Sequence, residues 1–441
     1  MNIQLPELFL ERMRKLLPSE RYEAFLRSYQ QPYTRSLRLN SLKVSPDVFE
    51  HLKPQGVHKT SSDLVYLDES QSLLGVTPFH HAGLFYLQEP SAALVCDALS
   101  IAPGDRIIDL CAAPGGKSVQ LLSRLNHTGF LVANEISAQR NRILQSNLER
   151  WGADNYAVTQ TSTPTLAKTW PNTFNHVVVD APCSGESLYR RHPHLLKAVQ
   201  DNNPVKLAEL QRSILEDAYQ LCQNHGTILY STCTFNTIEN EEVLEHFLDA
   251  HPECSLAKVR LPYSVEGYGS LGPFVSRYFP MDFGEGHFIA CIQVSKPERP
   301  SLLEIQRSKQ ARLLAAGLNL DASWSIHKEG NRCLASLQGI LSEKPWLIHQ
   351  GVILLEGKGQ RFIPAHQAAL SCHFASLFPQ ILEVSESEAY QFLNGQVLSC
   401  AAQGWTRVTY HGYSLGFGKC SEHRLNNYYP KGLRNLKEFY E

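Results

Sequence analysis

From about residue 104 the chain repeats one unit: a short apolar run, a turn, then an apolar stripe at helical spacing. "DRIIDLCAAPGGKSVQLLSRL" (105–125) and "GFLVANEISAQRNRILQSNLERWG" (129–152) both follow it. "NYAVTQTS", "FNHVVVDAP" and "GTILYSTCT" supply further β-branched runs, and "HFIACIQV" a last one. Runs that are apolar at every position belong to strands covered on both faces. Their alternation with helices predicts an α/β fold with a mostly parallel, doubly wound sheet. In such a sheet ligands bind beyond the carboxyl ends of the strands. Cys183, after "VVVDAP", and Cys233, after "TILYST", both fall on that edge.

The flanks differ in texture. With 441 residues the chain exceeds one ordinary domain. A mixed segment (1–80) precedes the sheet region (81–297), and Pro297 and Pro300 mark a linker. Beyond it, residues 298–441 are read as an α+β region, with "LLEIQRSKQARLLAAGL" helical, followed by short strands. The first residues, with Leu5, Leu8, Phe9, Met13 and Leu16 at helical spacing among charges, form an amphipathic helix and not a signal peptide. No apolar run reaches membrane-spanning length, so a cytoplasmic protein without a membrane partner is expected. The 11 cysteines are odd in number and lack a Cys-x-x-Cys pair, which argues against a disulfide framework or a zinc site. The 18 histidines have no metal-ligand spacing either, and no metal is expected. Net charge is −2, yet residues 10–43 hold eight Lys/Arg against three acids, and residues 403–441 six against three. Solvated helix faces and a polyanion touching both ends explain these excesses equally well.

"DLCAAPGGKS" (109–118) limits the nucleotide to be bound. Gly116-Lys117-Ser118 mimics a phosphate loop, but the glycine that loop needs is replaced by Cys111. The dinucleotide pattern G-x-G-x-x-G is absent too. What remains is a tight glycine turn that brings backbone N–H groups to a ligand and opens into a helix N-terminus. Glu135, 19 residues after Gly116, ends the next strand where a carboxylate accepts from both ribose hydroxyls. A single nucleoside bearing an amino-acid carboxylate, S-adenosylmethionine, satisfies both features.

"CAAPGGK", "DAPCSGE" and "STCTFNTIENEE", in this order and spacing, resemble the Nop/Sun family of RNA cytosine-5 methyltransferases. The resemblance reaches forward to "RSLRLNSLK" and "FYLQEPSAAL" and back to "RYFPMDFGEGHFIACI" and "NNYYPKGLR". It is greatest for the bacterial small-subunit (16S) ribosomal-RNA branch. It implies a Rossmann-like class I methyltransferase domain, an N-terminal RNA-recognition segment and a C-terminal PUA-like RNA-binding region. By resemblance, Cys111, Ala112, Ala113, Pro114, Gly115, Gly116 and Lys117, with Glu135, Asp180 and Ser162, hold the cofactor. Ser162 stands where the family commonly has an aspartate for the adenine amino group; its hydroxyl accepts the same bond more weakly, and adenine affinity is the property in question.

Cytosine carbon 5 is too electron-poor to take a methyl group directly. A thiolate adding to carbon 6 makes it enamine-like, which is covalent catalysis. Asp180, after three valines, would stabilise the charge developing on the ring. Chemistry does not rank the two cysteines. The resemblance does: Cys233 is the expected nucleophile, with Cys183 assisting proton removal or product release. The target base must be single-stranded or flipped out. Arg35, Arg38 and Asn40 resemble the family's N-terminal RNA contacts. Lys419, Arg424, Lys431 and Arg434, interleaved with Tyr428 and Tyr429, suit backbone contact and stacking. Ribosomal RNA is the expected partner; transfer RNA, or a catalytically weak assembly factor that only binds RNA, are the alternatives.

Overall fold

The computed structural model describes residues 5–44, 63–67, 74–193, 196, 203–307, 318, 320–321, 324–358 and 361–434. Six strands form the centre: β1 (Arg106–Asp109), β2 (Phe130–Asn134), β3 (Tyr156–Thr159), β4 (Phe174–Asp180), β5 (Cys222–Thr232) and β6 (His287–Gln293). They lie side by side in the order β6-β5-β4-β1-β2-β3. β1 pairs parallel with both β2 and β4, as do β2 with β3 and β4 with β5, whereas β6 runs antiparallel to β5. Strand order therefore reverses between β1 and β4, where an open α/β sheet leaves a crevice for a ligand.

Alternation explains why β4 is apolar at successive positions. Val177 and Val179 enter the core on one face and Val178 the core on the other. Each fully buried valine stabilises by about 1.5–3 kcal/mol relative to exposure. The crossovers are helices α1 (Gly116–Leu125), α2 (Ala138–Trp151), α3 (Thr163–Thr169) and α4 (Pro204–Leu221), followed by α5 (Glu241–Ala250) after β5. Ser137 caps α2 by accepting from the Arg140 N–H, and Gly152, at φ +86°, closes its far end in a left-handed turn.

The flanks are built into this body. Arg35–Leu39, Leu64–Leu67 and Phe85–Gln88 form a three-stranded antiparallel sheet, so the N-terminal unit runs past residue 80. Its Leu37, Leu39 and Phe85 share one core with Val408, Leu415 and Leu425 of a five-stranded C-terminal sheet. The two ends of the chain thus meet. The first helix, Glu7–Leu16, buries Phe9 and Met13 but leaves Leu8 60% exposed, so the expected stripe is narrower than its leucines. Leu347–Gln350 pairs antiparallel with β3 and covers the outer edge of the central sheet.

Two expectations for the C-terminal region change. The segment read as a helix begins with a strand instead: Ile305–Gln306 pairs with Ile340–Leu341, and residues 308–317 lie outside the described residues. Cys400, just after strand Leu398–Ser399, forms a disulfide with Cys420 of strand Tyr413–Ser421 across the intervening strand Arg424–Asn427, a pairing that sequence spacing does not reveal. Among the described residues no helix is long and apolar enough to cross a membrane.

Candidate active site

The glycine turn after β1 is fixed from beneath. Leu110 N–H donates to the Val178 carbonyl (2.9 Å) and Ala112 N–H to that of Asn134 (2.9 Å), stitching the turn to β4 and β2. Ser118 donates to Asp109 (2.7 Å), which burial pushes up to about 7 despite that bond. Gly115 sits at φ +112°, a conformation that L side chains rarely adopt. A Cβ at Gly116 would lie 2.9 Å from Gln88 Nε2 and 3.1 Å from Tyr86 Cε1, so the backbone here approaches the N-terminal sheet closely. The carbonyls of Ala113 and Pro114 accept from Arg140 (2.6 Å) and Asn147 (2.8 Å), which hold the turn against α2.

Two cavities, of about 550 and 440 Å³, open at the crevice and share Cys111, Arg140, Asp180, Leu188 and Cys233. The first extends over the ends of β2 and β3 and is lined by Glu135, Ile136, Thr161 and Ser162. Glu135, 3% exposed, is oriented by the Ser137 N–H (2.9 Å) and by Arg140 at 3.3 Å. Ser162 lines the wall with its hydroxyl 3.0 Å from that of Thr165. The second cavity extends toward the N-terminal sheet past Tyr86, Gln88, Lys117 and His287.

Where the cavities join, Lys117 Nζ lies 2.6 Å from Asp180 Oδ2, and Ser231 donates to Oδ1 (2.8 Å). Burial alone would raise the Asp180 carboxyl. The Lys117 ammonium and the neighbouring His287 outweigh it and hold the group well below the usual carboxylate range. His287 stands 3.7 Å from Oδ1. Sγ of Cys183 and Sγ of Cys233 are 3.3 Å apart. The hydrogen bond to Cys233 and then burial push the Cys183 thiol far up, and either sulfur can donate across the contact. Burial likewise raises the Cys111 thiol. Cys111 packs as an inert wall.

Sequence reading missed what locks these two loops together. Glu239, fully buried, accepts from Ser184 N–H (2.9 Å), Ser184 Oγ, Gln211 (2.9 Å) and Asn236 (2.7 Å). Glu186 reaches the other way and accepts from Thr234 (2.8 Å) and from the N–H groups of Phe235 and Asn236. The signal was present in "CSGE" and "IENEE": acids beside two apolar strand ends need partners when buried.

The expected RNA contacts divide. Lys419, Arg424 and Lys431 are exposed. Arg35 is half-buried, bonded to the Tyr33 hydroxyl (2.7 Å) and stacked on its ring. Arg38 is corrected: it is 2% exposed, and its guanidinium donates to Asp63 and the Ala93 carbonyl, joining elements of the N-terminal unit. Asn40 is corrected as well. It is fully buried and donates to the carbonyls of Gly83 and Trp151 (both 2.8 Å). Arg434 turns inward onto the Tyr429 carbonyl (3.1 Å) and packs on Gly395. Tyr429, 3% exposed, bonds His81 (2.7 Å) and offers no stacking face, whereas Tyr428 is 36% exposed.

A Rossmann-like sheet with its crevice at the β1/β4 reversal, a glycine turn and a strand-end acid define the class: a methyltransferase fold with a C-terminal PUA domain. Three family descriptions match the chain in sequence order. They are the N-terminal domain of 16S rRNA methyltransferase RsmF (residues 5–90), 16S rRNA methyltransferase RsmB/F (96–293) and the methyltransferase RsmF PUA domain (379–435). Ribosomal RNA small subunit methyltransferase F of Citrobacter koseri is 31% identical, with 98% of this chain and 97% of that protein covered. The same-named protein of Escherichia coli O157:H7 is 30% identical over the same shares. A solved methyltransferase homolog protein from Pyrococcus horikoshii is 25% identical with a TM-score of 0.57, covering 66% of this chain and 96% of that one. The chain belongs to the RsmF family of 16S rRNA methyltransferases.

Proposed function

We propose that this protein methylates carbon 5 of a cytosine in 16S ribosomal RNA, using S-adenosylmethionine and a transient bond from Cys233 to carbon 6 of the base. The observation that carries the reading is the pair of sulfurs 3.3 Å apart at the junction of two cavities, beside a carboxylate paired to a buried ammonium. The cofactor-binding residues line both cavities, Glu135 and Ser162 the first and Pro114, Gly116 and Lys117 the second, and the joined space takes the cofactor and the base side by side. Glu135 is oriented toward the first as a ribose acceptor, and the α1 N-terminus, uncapped by any side chain, offers N–H groups to a carboxylate. S-adenosylmethionine, when bound, supplies a methyl group on a sulfonium that a carbon nucleophile can take.

The residues divide the remaining work. Cys233, as thiolate, donates an electron pair to carbon 6, and the ring's π electrons move so that carbon 5 becomes nucleophilic. Asp180 and Lys117 face the ring edge where charge develops and stabilise it electrostatically. After carbon 5 has gained the methyl group, its hydrogen leaves as a proton to a base. The carbon 6–sulfur bond then breaks and returns its electrons to Cys233. Cys183, whose sulfur lies 3.3 Å from that of Cys233, is suited to assist proton removal or release of the methylated RNA. The test uses radiolabelled cofactor and a 16S rRNA substrate. Cys233→Ala should abolish both turnover and the covalent RNA adduct, whereas Cys183→Ala should keep the adduct and fail to release it. Reversed phenotypes overturn the assignment.

A further inference from the structure

A second cluster of chemistry-bearing side chains lies outside both cavities. Asp154, on the turn between α2 and β3, is fully buried. Its Oδ1 faces two imidazoles: His127 Nδ1 at 3.3 Å, from the turn between α1 and β2, and His373 Nδ1 at 3.8 Å, from the C-terminal region. The rings stand nearly edge to face with centroids 4.0 Å apart. Each of the three residues offers one ligand atom, and these atoms lie within 4.8 Å of one another. The neighbouring Cys372 thiol is turned to the Trp151 carbonyl (4.0 Å).

We propose that His127, Asp154 and His373 form a structural site for a zinc-type divalent cation that fastens the C-terminal region to the methyltransferase sheet, with solvent completing its coordination. A tetrahedral zinc ion holds nitrogen and oxygen ligands about 2.0–2.1 Å away, which sets neighbouring ligand atoms about 3.3 Å apart. The His127–Asp154 separation already has that value, His373 stands a few tenths of an ångström farther from the carboxylate, and the two imidazoles draw together from within 4.8 Å when an ion binds. Hydrogen bonding alone does not account for the cluster. His373 Nδ1 is buried without a hydrogen-bond partner, and 3.8 Å from a carboxylate oxygen is too long for one. Two imidazoles and a carboxylate are a donor set of zinc, not of calcium or magnesium, which take oxygen ligands.

The surroundings are those of a held ligand set. Asp154 Oδ2, turned away from the imidazoles, accepts from the Leu337 N–H (2.9 Å), and the His127 carbonyl accepts from Gln338 (3.0 Å). His127 itself sits at φ +62°, in the left-handed region that residues other than glycine take only where surrounding structure enforces it. The Cys372 N–H donates to the Gly152 carbonyl (2.9 Å), fixing the backbone beside the cluster. The ligands come from three stretches far apart in the chain, so local spacing gave no sign of them.

The test uses the full-length protein, stripped with a chelator and titrated with Co²⁺ as a spectroscopic stand-in for Zn²⁺. The wild type should take up one equivalent, with tetrahedral visible bands. His373→Ala and Asp154→Asn, which remove ligands, should each weaken binding by more than about tenfold. Elemental analysis after zinc loading should give one zinc per chain. The absence of tetrahedral bands in the wild type, or unchanged affinity in His373→Ala, overturns the proposal. The wild-type titration alone decides it if a variant fails to fold.

Discussion

Glu239→Gln probes the lock between the two cysteine loops. The side chain accepts four hydrogen bonds, two on each oxygen: Ser184 Oγ and Asn236 on Oε1, Ser184 N–H and Gln211 on Oε2. An amide nitrogen is least harmful in place of Oε1, where the Ser184 hydroxyl can turn to accept. Asn236 then meets a donor. One unsatisfied buried donor costs about 1–3 kcal/mol, and the remaining bonds each lose part of their charge assistance, about 1 kcal/mol apiece. The sum is about 3–5 kcal/mol, a large share of a typical folding free energy. The loop bearing Cys183 would loosen relative to Cys233, and a displacement of about 1 Å at reacting groups lowers rates about 100-fold. Urea unfolding followed by near-ultraviolet circular dichroism measures the first effect, and single-turnover methyl transfer the second. A variant within about 0.5 kcal/mol of wild type, with an unchanged single-turnover rate, would refute the reasoning.

Lys117→Met removes the charge that holds the Asp180 carboxyl down while leaving the burial that raises it, so its ionisation should move upward. A depressed folded-state value stabilises above the unfolded carboxyl range and is lost as pH falls through the folded value. The variant should therefore show an acid limb in its rate–pH profile nearer neutrality than wild type, and an unmoved limb contradicts this. Gly115→Ala forces a side chain into φ +112° with its Cβ 3.2 Å from Leu144. It should destabilise the protein by about 1–3 kcal/mol and weaken S-adenosylmethionine binding measured by titration calorimetry. Arg424→Ala, at an exposed cation, should lower the salt-dependence slope of RNA binding by about 0.7–0.9, whereas Arg38→Ala should lower thermal stability and leave that slope unchanged.

The central sheet was legible because each strand had to be apolar on both faces, a demand that leaves continuous runs such as "HVVVD". The cysteines, Asp180 and Glu135 were legible because they sit at the carboxyl ends of those runs, and Lys117 because it opens the helix after the glycine turn. Arg38 and Asn40 were misread for a physical reason. Charge and polarity indicate a need for partners but not whether those are phosphates or carbonyls of the same chain. Arg38 found Asp63 and Ala93; Asn40 found Gly83 and Trp151. Glu186 and Glu239 were passed over because their partners come from loops about 50 residues away. Pairing at that range is a property of the fold and has no local periodicity.

The outer hydrogen-bonding edge of β3 is completed by Leu347–Gln350, encoded almost 190 residues downstream. During synthesis at about 5–20 residues per second, that row of amides and carbonyls waits about 10–40 s for its mate to emerge from the ribosome. A nascent chain halted before residue 347 would present an open template to other unfinished copies. The C-terminal third is thus a closing piece for the enzyme body as well as a module joined to it, and its truncation would be read first as loss of solubility.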